Sequence, residues 1–133
     1  MAGMTIDNAP GLDIHLDDLS LDRLIMHVAR ASRFSDAWAG FATTEPHELF
    51  CDRFSRRVAD TYLARVLSYD DADRAMNGLY AYCHHLDTDR GMPDYAWAVF
   101  TAFEAGEYVH EGDGPDTHAD EKYVRPLLLK LQA

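Results

Sequence analysis

Basic residues are scarce: Lys and Arg number 12 against 23 Asp and Glu, a formal charge of -11. That balance opposes binding to nucleic acid or anionic lipid and attracts a basic partner. Cysteine is almost absent. Cys51 and Cys83 lie far apart, each within an apolar helical pattern, and form no Cys-x-x-Cys or other metal-type pair; buried free thiols are expected, as in a reducing compartment. Long hydrophobic runs are missing, so no membrane span is expected. The opening residues Met-Ala-Gly-Met-Thr-Ile-Asp-Asn carry neither a basic region nor an apolar run, which points to the cytoplasm.

Catalytic spacings are missing too. His84, His85, His110 and His118 supply ligand types for zinc or a di-metal hydrolase, but no His-Glu-x-x-His occurs. His84 and His85 would point about 100° apart on a helix. No serine sits in a nucleophile elbow and no glycine-rich loop could cradle a phosphate. Asp13, His15 and Asp17 alternate in the lead-in, without anything to fix their geometry. Asp87-Thr-Asp-Arg-Gly91 starts like a calcium loop, yet glycine stands fifth rather than sixth and Ala98 replaces the closing carboxylate. We therefore expect no catalytic residue, metal or cofactor.

What is present is a core: 47% of residues are hydrophobic and 11% aromatic, too many for a disordered acidic segment. A length of 133 residues suits one domain. Residues 1–16, with Pro10-Gly11, read as a loosely held arm. Asp17, Asp18 and Ser20 can cap a helix over 20–31, striped by Leu21, Leu24, Ile25 and Val28. Phe34, Trp38 and Phe41 suggest a short second helix. Thr44 and Pro46 open a longer one that runs through Phe50, Cys51, Phe54, Val58 and Tyr62 to about Leu67. Its outer face carries Arg53, Arg56, Arg57 and Arg65, expected to pair with the acidic surface of the same molecule.

Asp70, Asp71 and Asp73 occupy the first turn of the next helix, striped by Ala75, Met76, Leu79 and Cys83. Within it Gly78 predicts a close crossing, beneath an aromatic of the central helix. That central helix starts after Met92-Pro93 and presents Tyr95, Trp97, Val99, Phe100 and Phe103 over a wide apolar face. Past Gly106 comes an irregular segment, long for a compact domain and so a candidate functional loop. Asp120 allows one further turn, and Pro126 kinks or restarts a last helix docked by Val124, Leu127, Leu128 and Leu131. The whole reads as an all-α, single-domain bundle of five or six helices with an irregular acidic loop before the last. Leu24, Phe54, Tyr62, Leu79, Val99, Phe103 and Leu127 are expected in its core.

The candidate binding residues surround the end of the central helix. Glu104, Glu107, Glu111, Asp113, Asp116, Asp120 and Glu121 are seven carboxylates with no Lys or Arg among them. Tyr108 and His110 stand within the series, and Tyr108 is a candidate interface anchor. This ending, Phe103-Glu-Ala-Gly-Glu-Tyr-Val-His110 followed by Glu121-Lys-Tyr-Val-Arg-Pro-Leu127, in a small acidic chain, resembles immunity proteins of bacterial contact-dependent inhibition and related toxin systems. The resemblance implies tight association with a cognate toxin, often a basic nuclease, whose active site or groove the acidic surface covers. The same charges would serve a nucleic-acid mimic that inhibits a DNA-binding protein, or a plain solvated surface. A metal-dependent hydrolase is the remaining alternative.

Overall fold

A computed structural model describes residues 16–86, 90–108 and 110–132. Six α-helices follow one another: α1 (Asp18–Arg30), α2 (Phe34–Ala37), α3 (His47–Leu63), α4 (Tyr69–Ala81), α5 (Asp94–Glu104) and α6 (Arg125–Gln132). A π-helical turn, Tyr82–Leu86, extends α4, and another, Asp120–Val124, leads into α6. No strand occurs among the described residues, so the all-α expectation holds. None of these helices is long and apolar enough to cross a membrane. The calcium-like stretch at 87–89 and the arm with Asp13 and His15 lie outside the described residues.

Local chemistry sets the helix ends. Asp17 accepts the amide of Ser20 at 2.8 Å and starts α1, while Ser68 caps α4 by accepting the amide of Asp71 at 3.1 Å, with Asp70 and Asp71 in the first turn as expected. α3 stops at Leu63, four residues before its apolar pattern ends. There Arg65 turns left-handed at φ 63°, and the amides of Arg65 and Val66 reach back to the carbonyls of Tyr62 and Thr61. That bonding is a Schellman ending with arginine where glycine usually sits. The π turn before α6 accommodates Pro126, which has no N–H to donate, and the amide of Arg125 bonds Asp120 five residues back.

α4 lies against α1, α3 and α5. At its centre Gly78 makes the close crossing that the sequence implies, but with α1: a Cβ there would lie 2.2 Å from Cγ1 of Val28, with the Phe34 ring also in contact. The carbonyl of Gly78 accepts the indole N–H of Trp38 at 3.0 Å, which satisfies that buried donor. Trp38 sits among Phe41, Phe50, Phe54 and Tyr82, with the Tyr82 ring centroid 4.5 Å away. The rest of the core is α5 docked on α3 and α4 through Val99, Ala102 and Phe103, all buried.

Phe54, Tyr62, Leu79, Val99 and Phe103 are buried as expected, and Leu24 is only partly so. Leu127 is a correction, being 43% exposed, since it stands about 100° around α6 from Leu128, which is fully buried together with Val124.

Truncating Phe103 to alanine removes a fully buried ring from the meeting point of three helices and is expected to cost about 3–5 kcal/mol. Gly78→Ala is the sharper test. Helix propensity favours alanine by about 1 kcal/mol, yet the Val28 contact opposes it with an overpacking cost of about 1–3 kcal/mol. Chemical denaturation should show net destabilisation; a variant more stable than the parent would mean that the two helices can separate freely.

Candidate functional site

The end of α5 is fixed from beneath. Tyr69, at the start of α4, donates its hydroxyl to the carbonyl of Phe103 at 2.7 Å, and its ring fills the space that a Cβ on Gly106 would need, 2.8 Å from the phenol oxygen. This anchor brings Glu104 and Glu107 over the second turn of α4, where Asp73 waits. The Asp73 and Glu107 carboxyls are brought together there, and Asn77 donates to Glu107 at 3.4 Å. Burial pushes the Asp73 carboxyl up to about 8, aided by the bond to Glu107 and by the like charges of Glu107, Glu104 and Asp70. Glu104 is also raised, by burial first and then by the charge of Glu107. Around neutral pH the group therefore holds a proton that an isolated aspartate would have lost.

The loop beyond it is organised by one residue. Asp113 accepts the ammonium of Lys122 at 2.7 Å, the hydroxyl of Tyr123 at 2.8 Å and the amide of His110 at 3.3 Å, and its side chain is only 3% exposed. The Lys122 bond, with those of Tyr123 and His110, holds the Asp113 carboxyl below the usual carboxylate range. His110 donates from Nε2 to the carbonyl of Ala105 at 2.7 Å, and its ring lies between Tyr108 and Tyr123 at centroid distances of 4.4 and 3.7 Å. Two turns complete the segment, one closed from Asp113 to His110 and one between Gly114 and Thr117.

The nine candidate residues thus separate into different settings. Glu107, Tyr108, Glu111 and Asp116 are exposed, with Tyr108 at 58%. Glu104 belongs with Asp73. Asp113 and His110 are structural, holding the loop shut. Asp120 accepts the Tyr62 hydroxyl at 2.8 Å, and Glu121 pairs with Arg65 at 2.9 Å and with Arg125 at 3.5 Å. The absence of basic residues within the segment does not leave its acids unopposed. Lys122 follows it immediately, Arg65 comes from the turn that ends α3, and Arg125 from α6.

Of the four arginines expected to pair within the molecule, Arg53, Arg57 and Arg65 meet acids, while Arg56 is exposed over an aromatic ring. Arg53 bonds Glu45 and the carbonyl of Leu16, Arg57 grips Asp22 through two hydrogen bonds at 2.6 and 2.9 Å, and Arg56 covers the ring of Tyr95. Two other arginines cap helices that are not their own. Arg74 donates to the carbonyls of Ala29 and Ala31 at the end of α1, and Arg125 to those of Tyr62 and Leu63 at the end of α3.

The histidines named for metal chemistry stay apart in role: His84 packs on Tyr80 at 4.3 Å, His110 is the stacked ring just described and His118 is exposed. Both cysteines are buried and not joined in a disulfide. Sequence reasoning missed Asp73, which it assigned to the first turn of α4, and missed Tyr69, Lys122 and Tyr123 altogether. Asp73 carried a signal, since it falls two positions beyond Asp71, the last residue whose amide the cap serves.

A raised folded-state acid makes the pH dependence specific. Between the ordinary aspartate value and about 8, the folded chain keeps the Asp73 proton while the unfolded chain loses it, so this group withdraws stability as pH rises through that window. Asp73→Asn should match the parent in thermal melts near pH 5 and exceed it near pH 9. Equal melting temperatures at both would show that the carboxyl ionises freely. Comparison with family models, with curated proteins and with solved structures gives no match for this chain.

Proposed function

We propose that this chain is a binding protein that neutralises a basic protein partner, in the manner of an immunity protein with its cognate toxin. The face used comprises Asp73, Glu104, Glu107, Tyr108, Glu111 and Asp116. The observation that carries the reading is the compressed carboxylate group at Asp73, Glu104 and Glu107, beside the exposed ring of Tyr108. Folding alone gains nothing from pressing like charges together, and a cation placed there would relieve them. Arginine would suit the position best, since its planar fork can bridge two carboxylates. Tyr108, packed on His110, offers a rigid aromatic surface at the rim, the kind of side chain that dominates binding energy when an interface covers it.

Nucleic-acid mimicry is supported less well. Phosphates along a strand stand apart and keep their charges, whereas Glu107 and Glu104 crowd Asp73 closely enough to raise its carboxyl. The immunity resemblance adds the expectation that the partner is a toxin domain, with a nuclease as the leading type. Inhibition would follow from steric cover, with no catalytic residue contributed by this chain.

The test begins with the proteins that co-purify with the tagged chain at low salt, followed by calorimetry and association kinetics on the basic partner recovered. Glu107→Lys, Glu111→Lys and Asp116→Lys together should slow association at least about tenfold at low ionic strength, and the difference should shrink as salt rises. Asp113 is left intact because it holds the loop. Binding near neutral pH should also release protons, as a partner cation draws Asp73 back toward its ordinary range, and heats measured in buffers of different ionisation enthalpy would reveal it. Identical affinity of parent and triple variant at both salt levels, with no proton release, would remove this face from the interface.

A further inference from the structure

His47 and Cys51 stand four residues apart on α3, hence on one face of the helix, one turn separated. Cys83 meets them from the π-helical turn that extends α4. The two sulfur atoms are 3.7 Å apart, and Cys51 Sγ lies 3.8 Å from Nδ1 and 3.7 Å from Nε2 of His47. One ligand atom from each of the three residues falls within 4.8 Å of the others. Both cysteines are fully buried and His47 is half-buried.

These separations have a chemical reading. An ion held at Zn–S of about 2.3 Å and Zn–N of about 2.0–2.1 Å with tetrahedral angles spaces its sulfurs about 3.8 Å apart and a sulfur and nitrogen about 3.5 Å apart. The two edges at Cys51, 3.7 Å to Cys83 Sγ and 3.8 Å to His47 Nδ1, agree with these to within a few tenths of an ångström, and the group as a whole spans no more than 4.8 Å. A disulfide would need the sulfurs to close to about 2.05 Å.

Hydrogen bonding also fixes the tautomer of the imidazole. His47 Nε2 lies 2.8 Å from the carbonyl of Gly91, an atom that can only accept, so Nε2 carries the proton and Nδ1 keeps its lone pair in the neutral ring. Metal-bound histidines characteristically donate their other N–H to a carbonyl or carboxylate in this way. Gly91 ties the arrangement together, since its amide donates to the carbonyl of Cys83 at 3.3 Å while its own carbonyl takes the His47 proton. It does so at φ 81°, a conformation that strains any other residue. One residue therefore fixes the orientation of the histidine and the backbone of the second cysteine.

We propose that His47, Cys51 and Cys83 form a binding site for zinc, with both thiolates and Nδ1 of His47 as ligands. Binding converts two thiols to thiolates, their protons passing to solvent, so that the dipositive ion and two sulfur anions bring no net charge into the buried site. Neutral burial of that kind avoids the large cost of an uncompensated ion in the interior. Three protein donors leave a fourth position for water or another small ligand.

The experiment uses the full chain, reduced and freed of metal with a chelator. Cobalt(II) should saturate at one equivalent, with thiolate-to-cobalt charge-transfer bands in the near ultraviolet and the strong visible bands of tetrahedral geometry, and zinc should displace it. Zinc should slow alkylation of Cys51 and Cys83 more than about tenfold, a readout on the parent chain that depends on no variant folding. His47→Ala should weaken cobalt binding at least about tenfold, and Cys83→Ser should remove part of the charge-transfer intensity. Alkylation unaffected by zinc, or cobalt bound without thiolate bands, would overturn the assignment. So would a reduced chain that takes up no cobalt but closes a Cys51–Cys83 disulfide in air, which would give the pair to redox chemistry.

Discussion

The crossing of α1 over α4 at Gly78 is the constraint on which the other positions depend. A side chain on α4 at that point would meet Val28, so the helices approach closely enough for the Gly78 carbonyl to receive the Trp38 indole. Short-range packing of this kind has steep energetics, because a separation of even half an ångström forfeits a large part of the dispersion contact. With α4 seated, its first turn places Tyr69 under the end of α5 and its second turn places Asp73 opposite Glu107. Its π-helical extension delivers Cys83 to Cys51. The acidic group and the thiol pair therefore sit at opposite ends of one element, held by the same contact near its middle.

Charge is distributed with comparable economy. In a chain with nearly twice as many acids as bases, the arginines of α3 face α1 and α5, Arg65 just past its end faces the segment before α6, and Arg74 and Arg125 close the ends of helices to which they do not belong. A guanidinium that meets helix-terminal carbonyls satisfies orphan acceptors and complements the negative end of the dipole. Such bonds gain more from a partly buried setting than exposed ion pairs do. The positive charge works as internal fastening, and the carboxylates at Glu107, Glu111 and Asp116 are left to face solvent.

Periodicity made much of this legible. Apolar stripes gave the helices, Pro93 marked the start of α5, the inward pairing of the arginines followed from the acidic excess, and the need for a close crossing could be read at Gly78. Other features had no local signature. The left-handed turn at Arg65 ends α3 without a glycine to announce it. The last helix docks through Val124 and Leu128 alone of its expected stripe near the π turn, with Leu127 exposed beside them. Asp113 could not be recognised as a structural hub because its partners Lys122 and Tyr123 lie beyond the carboxylate run. The pairing of Asp73 with Glu107 and of Cys51 with Cys83 is a property of helices meeting in space, which spacing along one helix does not encode.

The two tryptophans occupy opposite environments. Trp38 is 6% exposed within its cluster of aromatic rings, whereas Trp97 is 46% exposed on the outer side of α5, its ring 5.5 Å from Phe100. Intrinsic fluorescence from the native chain is accordingly a composite of a shielded blue emitter and a hydrated red one. A water-soluble quencher reaches mainly Trp97, so the light that survives quenching comes from Trp38 and reports on the crossing of α1, α2 and α4. The chain thus carries its own optical probe for loosening at the centre of the bundle, separate from events at its surface.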